Sequence, residues 1–165
     1  MTHNYAKIRF FVDPEDGHRE SAELLWAEPV GSKEGGAFRL MNSPYYSRAA
    51  SYLDIVRAKE APDGLGLDYA GTIQTSGHST LWIYTHKNSS HFKPRWAPLQ
   101  SLGCTYEGAY VDTPNGERTL YSVDVPPETN FDEVMSILDD GQRDGVWQFM
   151  IGHIGRASPL ASGDA

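Results

Sequence analysis

Apolar residues in the first half of the chain form short runs that alternate with polar residues and end at turns rich in Pro, Gly and Asp. This pattern predicts five strands, at residues 5–12, 22–30, 37–41, 53–58 and 67–74. The segment 44–52 fits either a helical turn or an ordered loop. Short strands at this spacing favour a small closed or half-closed β-barrel, which we expect to form a lobe over residues 1–76.

From Ser79 onward, runs of strand period and helix period take turns. Asn130 and Glu133 resemble a capping box ahead of apolar residues spaced i, i+3, i+4 and i+7, and Gly141 and Gly145 are expected to bound the exit of that helix. The predicted order is strand 79–85, helix 94–102, hairpin strands 104–111 and 118–125, helix 131–138 and strand 146–151. This βαββαβ order predicts a ferredoxin-like lobe over residues 77–156 and, with the barrel-like lobe, an α+β fold. The small polar residues 157–165 predict a disordered tail.

Composition narrows the class of protein. The 22 acidic residues exceed the 14 Lys and Arg residues, giving a net charge of −8, which argues against nucleic acid as a partner and suits an inhibitor of a basic protein. The single cysteine, Cys104, excludes an intramolecular disulfide and favours a reducing compartment. We find neither a secretory signal nor an apolar run of the roughly 18 residues that span a bilayer, so we expect a cytoplasmic protein.

The boundary between the two halves carries the polar sequence Ser-Gly-His-Ser-Thr at residues 76–80. Its hydroxyl groups, imidazole and backbone N–H groups, including those of Gly77 and Thr80, have the chemistry to contact an anion or a partner. The alternative is an ordinary turn whose hydroxyl groups satisfy backbone groups. Both interpretations remain open from sequence.

A catalytic interpretation of the same segment makes His78 the general acid or base and Ser76 or Ser79 the nucleophile, with Asp54 orienting the imidazole. Cys104 is a further candidate nucleophile, although its position at the start of a strand is more typical of a buried thiol. The chain has no Gly-x-Ser-x-Gly motif.

Two other groups of side chains have the chemistry of recognition. His91 and Lys93 lie where the first helix is predicted to begin, which favours an anion site, or else a solvated loop with capping serines. A tyrosine-rich group also offers side chains enriched at interfaces, or else closes one end of the barrel. Its members are Tyr45, Tyr46 and Tyr52 with Arg48 and Arg57.

Four histidines of the second half do not have the spacing of metal ligands, and the chain contains no Cys-x-x-Cys or His-Glu-x-x-His motif. The sequence therefore predicts no metal site and no cofactor. The four are His78, His86, His91 and His153.

Several motifs occur together in a fixed order along the chain, and in this the sequence resembles the bacterial DUF4265 family over roughly residues 5 to 155. The motifs are Leu24-Leu25-Trp26-Ala27-Glu28-Pro29, Phe38-Arg39-Leu40, Asn42-Ser43-Pro44-Tyr45-Tyr46, Tyr52-Leu53-Asp54-Ile55-Val56-Arg57-Ala58 and Ser76-Gly77-His78-Ser79-Thr80. The family name records an unknown function, so the resemblance assigns no catalytic residue. It implies only that Trp26, the 42–46 turn, Asp54, Arg57 and residues 76–80 belong to one common structural feature.

These observations favour a small non-catalytic binding protein of the inhibitor or immunity type that masks a protein partner. The alternatives are an enzyme that modifies a small molecule or peptide in a cleft between the lobes, with His78 as acid or base, and a regulatory module that binds a small ligand. The oligomeric state does not follow from the sequence.

Overall fold

A computed structural model describes residues 4–14 and 20–156; the predicted disordered tail, 157–165, lies outside the described residues. Two sheets and two α-helices confirm the α+β class. The elements are β1 (Ala6–Phe11), β2 (Ala22–Pro29), β3 (Ala37–Leu40), β4 (Ile55–Glu60), β5 (Leu67–Gln74), β6 (Ser79–His86), α1 (Phe92–Ser101), β7 (Thr105–Thr113), β8 (Gly116–Val125), α2 (Phe131–Arg143) and β9 (Gln148–His153).

Strands β1 to β5 are hydrogen-bonded in sequence order and close into a barrel. Successive pairs are antiparallel, whereas the closing pair, β1 with β5, is parallel and joins only Ile8 with Leu67 and Arg9 with Asp68. Because strand side chains alternate, every second residue points inward. The barrel core contains Ile8, Phe10, Leu25, Ala27, Phe38, Leu40 and Val56.

The second sheet has the order β7-β8-β6-β9 with all neighbours antiparallel. Both helices pack on one face of this sheet, where the core contains Leu81, Ile83, Val123, Val125, Phe92, Trp96, Leu99, Val134 and Leu138. On the other face, Trp82 Nε1 and Ser122 Oγ both donate to the carbonyl oxygen of Pro44, at 2.9 and 2.6 Å. Strand β6 is therefore buried on both faces.

The segment between β3 and β4 is an ordered loop, which settles the alternatives that its sequence left open. The carboxylate of Glu23 accepts hydrogen bonds from three successive backbone N–H groups, those of Tyr45, Tyr46 and Ser47. Leu53 has φ of 67°, a left-handed conformation that a strand residue does not adopt. Strand β4 therefore begins at Ile55 rather than at residue 53.

Both helices differ from their predicted bounds. Helix α1 begins at Phe92, so Pro94 occupies its first turn, where a missing N–H costs nothing. Helix α2 continues to Arg143, so the expectation that Gly141 bounds its exit is wrong. A Cβ atom at Gly141 would lie 2.4 Å from the Trp147 ring, whose Nε1 donates to the Leu138 carbonyl. The glycine is a packing position rather than a helix stop.

Candidate functional site

A buried polar network joins the 41–54 loop to the second sheet. The Ser51 hydroxyl oxygen lies 2.9 Å from Thr80 Oγ1 on β6 and 2.7 Å from His153 Nδ1 on β9. Strands β6 and β9 pair with Thr80 opposite His153, so both partners reach Ser51 from one face of the sheet. Ser51 and Thr80 are fully buried.

Asp54 organises the loop side of this network. Its carboxylate is fully buried and accepts hydrogen bonds from the backbone N–H groups of Ser51, at 3.0 Å, and Ser76, at 2.8 Å. The Ser76 hydroxyl donates to the Tyr52 carbonyl at 2.7 Å and accepts from the N–H of His78. Asp54 and the 76–80 segment are thus in direct contact through Ser76, but the carboxylate that holds the His78 imidazole is Asp124, so the expectation that Asp54 orients it is wrong.

His78 and Asp124 form a second pair beside this network. His78 Nδ1 lies 2.9 and 3.0 Å from the two carboxylate oxygens of Asp124 on β8, and the Tyr52 ring packs edge-on against the imidazole. Burial raises the pKa of Asp124, and the hydrogen bond from His78 opposes that rise. A carboxylate that holds Nδ1–H leaves Nε2 as the ring nitrogen able to take up a proton.

Of the three candidate nucleophiles, the two serine hydroxyl groups form hydrogen bonds with the main chain and the cysteine thiol is protonated. Ser76 Oγ is hydrogen-bonded to the Tyr52 carbonyl. Ser79 Oγ is fully buried and accepts a hydrogen bond from the N–H of Gly155. A Cβ atom at Gly155 would lie 2.0 Å from the carbonyl oxygen of His78, so only glycine fits there. Burial raises the pKa of Cys104 to about 11, which keeps its thiol protonated at neutral pH. This geometry favours structural roles for all three.

His153 gives the network a pH dependence. Burial lowers the pKa of His153 below 6.5, and the nearby charge of Asp54 only partly opposes this. The unfolded chain therefore binds the proton more readily, and the stability due to neutral His153 is lost as pH falls from about 6.5 through the folded-state pKa. We expect the wild-type free energy of unfolding to fall more between pH 7.5 and 5.5 than that of His153→Asn. Urea unfolding at both pH values is the measurement, and equal decreases would contradict the assignment.

The tyrosine-rich group is only partly associated with this region. Tyr45 and Tyr46 are half-buried, and burial raises the pKa of Tyr46 to about 12. Arg48 is exposed, and its Nη1 donates to the Ile151 carbonyl while the guanidinium lies 5.1 Å from the Trp82 ring centroid. Arg57 is exposed on β4, opposite Ala37 of β3, rather than in the 41–54 loop that carries the three tyrosines, so the structure does not bring the whole group together.

Of the remaining predicted site residues, Gly77 is packed within the protein, whereas His91 and Lys93 lie on its surface. Gly77 has φ of 87°, and a Cβ atom there would lie 2.9 Å from the Pro127 side chain, which accounts for the glycine. His91 and Lys93 are exposed at the start of α1, where the N–H of His91 donates to Ser89 Oγ. Within residues 4–14 and 20–156, no cluster of three His, Cys, Asp or Glu side chains could hold a metal ion.

The sequence did not predict the roles of Glu23, Ser51, Asp124 and His153 in this region, and His153 was considered there only as a metal ligand. Asp124 had a usable signal, since it is an acid inside the apolar run of β8 and such acids are rarely buried without a partner. Ser51 and Glu23 carry no such signal, because their roles depend on residues brought near by packing.

The comparisons with known proteins concern the fold and the family. A chain described as "Novel crystal structure of a hypothetical protein from Neisseria gonorrhoeae" superposes with a TM-score of 0.71 at 17% identity, covering 95% of this chain and 100% of that one. At that identity the likeness shows the fold alone. No curated protein matches the chain. Neither helix of the described residues is long and apolar enough to cross a bilayer. The model "Domain of unknown function (DUF4265)" matches residues 23–149, and the chain therefore belongs to the DUF4265 family.

Proposed function

We propose that the protein is a small cytoplasmic binding protein, of the inhibitor or immunity type, that acts on a protein partner. The observation that carries the proposal is an exposed apolar surface around β1. Nine large hydrophobic side chains of the described residues are exposed, and five of them line or flank this strand. We call these five the β1 surface: Tyr5, Phe11, Leu24, Trp26 and Leu65.

The β1 surface arises from strand alternation. Lys7, Arg9 and Phe11 point outward from β1, and β2 places Trp26 opposite Lys7 and Leu24 opposite Arg9. The exposed fractions are 69% for Phe11, 57% for Leu24 and 48% for Trp26. A contiguous group of exposed apolar side chains on neighbouring strands is typical of a site that another protein covers.

Cations lie against the aromatic rings of this surface. The Lys7 ammonium is 4.6 Å from the Trp26 ring centroid, and the Arg9 guanidinium is 4.9 Å from that of Phe11. Arg9 is also paired with Asp68, its Nε lying 2.7 Å from the carboxylate, which fixes its position. A groove of about 960 Å³ follows the same strand, lined in part by Lys7, Arg9, Leu24 and Leu65. Anchored Trp and Arg side chains beside a groove are typical of interaction hot spots.

The proposal includes an architecture. The barrel strands and the second sheet with its helices are two lobes, over residues 1–76 and 77–156, and the second lobe is ferredoxin-like. The order β7-β8-β6-β9, with α1 after β6 and α2 after β8, supports this assignment. In this arrangement the buried polar network stabilises the contact between the two lobes, and the β1 surface binds the partner.

The test compares two exposed side chains of equal accessibility. Trp26 and Ile73 are both 48% exposed, but only Trp26 belongs to the β1 surface. A partner is first isolated on the immobilised protein, and its Kd is then measured with Trp26→Ala and Ile73→Ala. We expect Trp26→Ala to weaken binding by about 2 kcal/mol, roughly thirtyfold, and Ile73→Ala to have little effect. Equal effects would mean that the partner binds elsewhere.

A second candidate function, an enzyme, is favoured by the pairing of His78 with Asp124. It predicts turnover of a small molecule or peptide that is lost in both His78→Gln and Asp124→Asn, with Trp26→Ala unaffected. That result, without a protein partner, would replace the binding proposal. The third alternative, a regulatory module, predicts saturable binding of a small ligand without turnover.

A further inference from the structure

We propose that β7 is a second docking site, independent of the β1 surface, which accepts an extended segment of a partner protein as an added strand. β7 is one edge of the second sheet and pairs only with β8. An edge strand presents unpaired N–H and C=O groups along its open side, and these can form a new ladder with another chain.

The two edges of this sheet are not equally protected. β7 is nine residues long and pairs with β8 from Thr105 to Thr113 without a register shift. It contains no Lys, no Pro and no bulge, which are three of the features that block an edge. The opposite edge, β9, is six residues long and is interrupted by a register shift at the Thr80/Leu81 position of β6. β7 is therefore the more open template.

Aromatic side chains make one face of the β7 edge apolar. Tyr106 and Tyr110 lie on the side of the sheet that the helices cover and are 36% and 66% exposed. A groove of about 400 Å³ between α1 and the start of β7 is lined by Trp96, Tyr106, Lys93 and Cys104, among others. An added strand would direct alternate side chains toward this groove and these rings.

Acidic residues define the other half of the partner's chemistry. Glu107 is exposed on the opposite face of β7 and Asp112 is exposed near its end, whereas the nearby cations, Lys87 over the Tyr110 ring and Lys93 in the groove, lie beside the tyrosines. The net charge of −8 also favours a basic ligand. We therefore assign the site to an extended segment of alternating apolar and basic residues, with the apolar ones beside Tyr106 and Tyr110 and a basic one beside Glu107.

The probe is a synthetic peptide of alternating Val and Lys, nine residues long to match β7. Its control has the same sequence with a central Pro, which cannot complete the ladder. We expect saturable binding of the first peptide only, with hydrogen exchange slowed at alternate amides of β7 and unchanged in β9. Glu107→Lys should weaken binding by about fivefold or more, whereas Asp139→Lys, the same charge change on exposed α2, should weaken it less than twofold.

Several outcomes would overturn the proposal. Equal losses in both variants, or equal binding of the Pro peptide, would indicate only general charge attraction. A dimer of the free protein that dissociates in Glu107→Lys, seen by sedimentation, would make a second copy the occupant. Absence of exchange protection in β7 would also refute it, even where Glu107→Lys alters folding. Trp26→Ala should bind the peptide normally, so the proposal for β7 and the proposal for the β1 surface can be refuted independently.

Discussion

Trp82→Ala is expected to lower the free energy of unfolding by about 3 to 5 kcal/mol, the usual cost of removing a large buried aromatic side chain. Trp82 is only 2% exposed, and its side chain extends from β6 to the 41–54 loop, where it donates to the Pro44 carbonyl. Gly152 provides its space, because a Cβ atom there would lie 2.9 Å from the indole. The substitution would leave a cavity where the loop meets the second sheet. Urea unfolding followed by circular dichroism is the measurement.

Two controls separate packing from hydrogen bonding. Trp82→Phe keeps most of the buried ring but removes the Nε1 donor, and Ser122 Oγ still satisfies the Pro44 carbonyl. We therefore expect it to cost about 1 to 2 kcal/mol. Trp26→Ala removes an indole that is 48% exposed and should change stability much less. Similar losses for Trp82→Ala and Trp26→Ala would contradict the buried position of Trp82.

Asp54→Ala is expected to destabilise the protein by a comparable amount, about 3 to 4 kcal/mol. The carboxylate is fully buried and receives the N–H groups of Ser51 and Ser76, and its removal leaves both donors without their acceptor. Each buried unsatisfied group costs about 1 to 3 kcal/mol. Because Ser51 also contacts Thr80 and His153, we expect β6 and β9 amides near the loop to exchange faster.

Asp54→Asn and Asp139→Ala are the matched variants for this prediction. The asparagine side chain keeps one acceptor oxygen, so it should lose roughly half as much stability as Asp54→Ala. Asp139 is an exposed residue of α2, and its replacement should change the free energy of unfolding by less than about 0.5 kcal/mol. If Asp54→Ala were as mild as Asp139→Ala, the carboxylate would not organise the loop.

Local signals explain the part of the fold that the sequence predicted. The Asn130 side chain accepts from the N–H of Glu133, as the capping pattern indicates, and α2 begins at Phe131 as expected. The predicted hairpin likewise forms, with Pro114 and Asn115 joining β7 to β8. Caps and turns act within a few residues, so composition and period reveal them. The bounds failed at Leu53 and Gly141, where backbone conformation and a distant ring decide.

By itself, then, the sequence determined the α+β class, the order of strands and helices, and membership of the family. Tertiary structure alone decided which polar groups meet, because their partners are 46 residues apart for His78 and Asp124 and 102 for Ser51 and His153. It also decided that Ser76 and Ser79 hold main-chain groups, and that Phe11, Leu24 and Trp26 lie together outside the barrel. The physical reason is that strand period fixes which side chains share a face of one strand, whereas register and packing fix what that face meets.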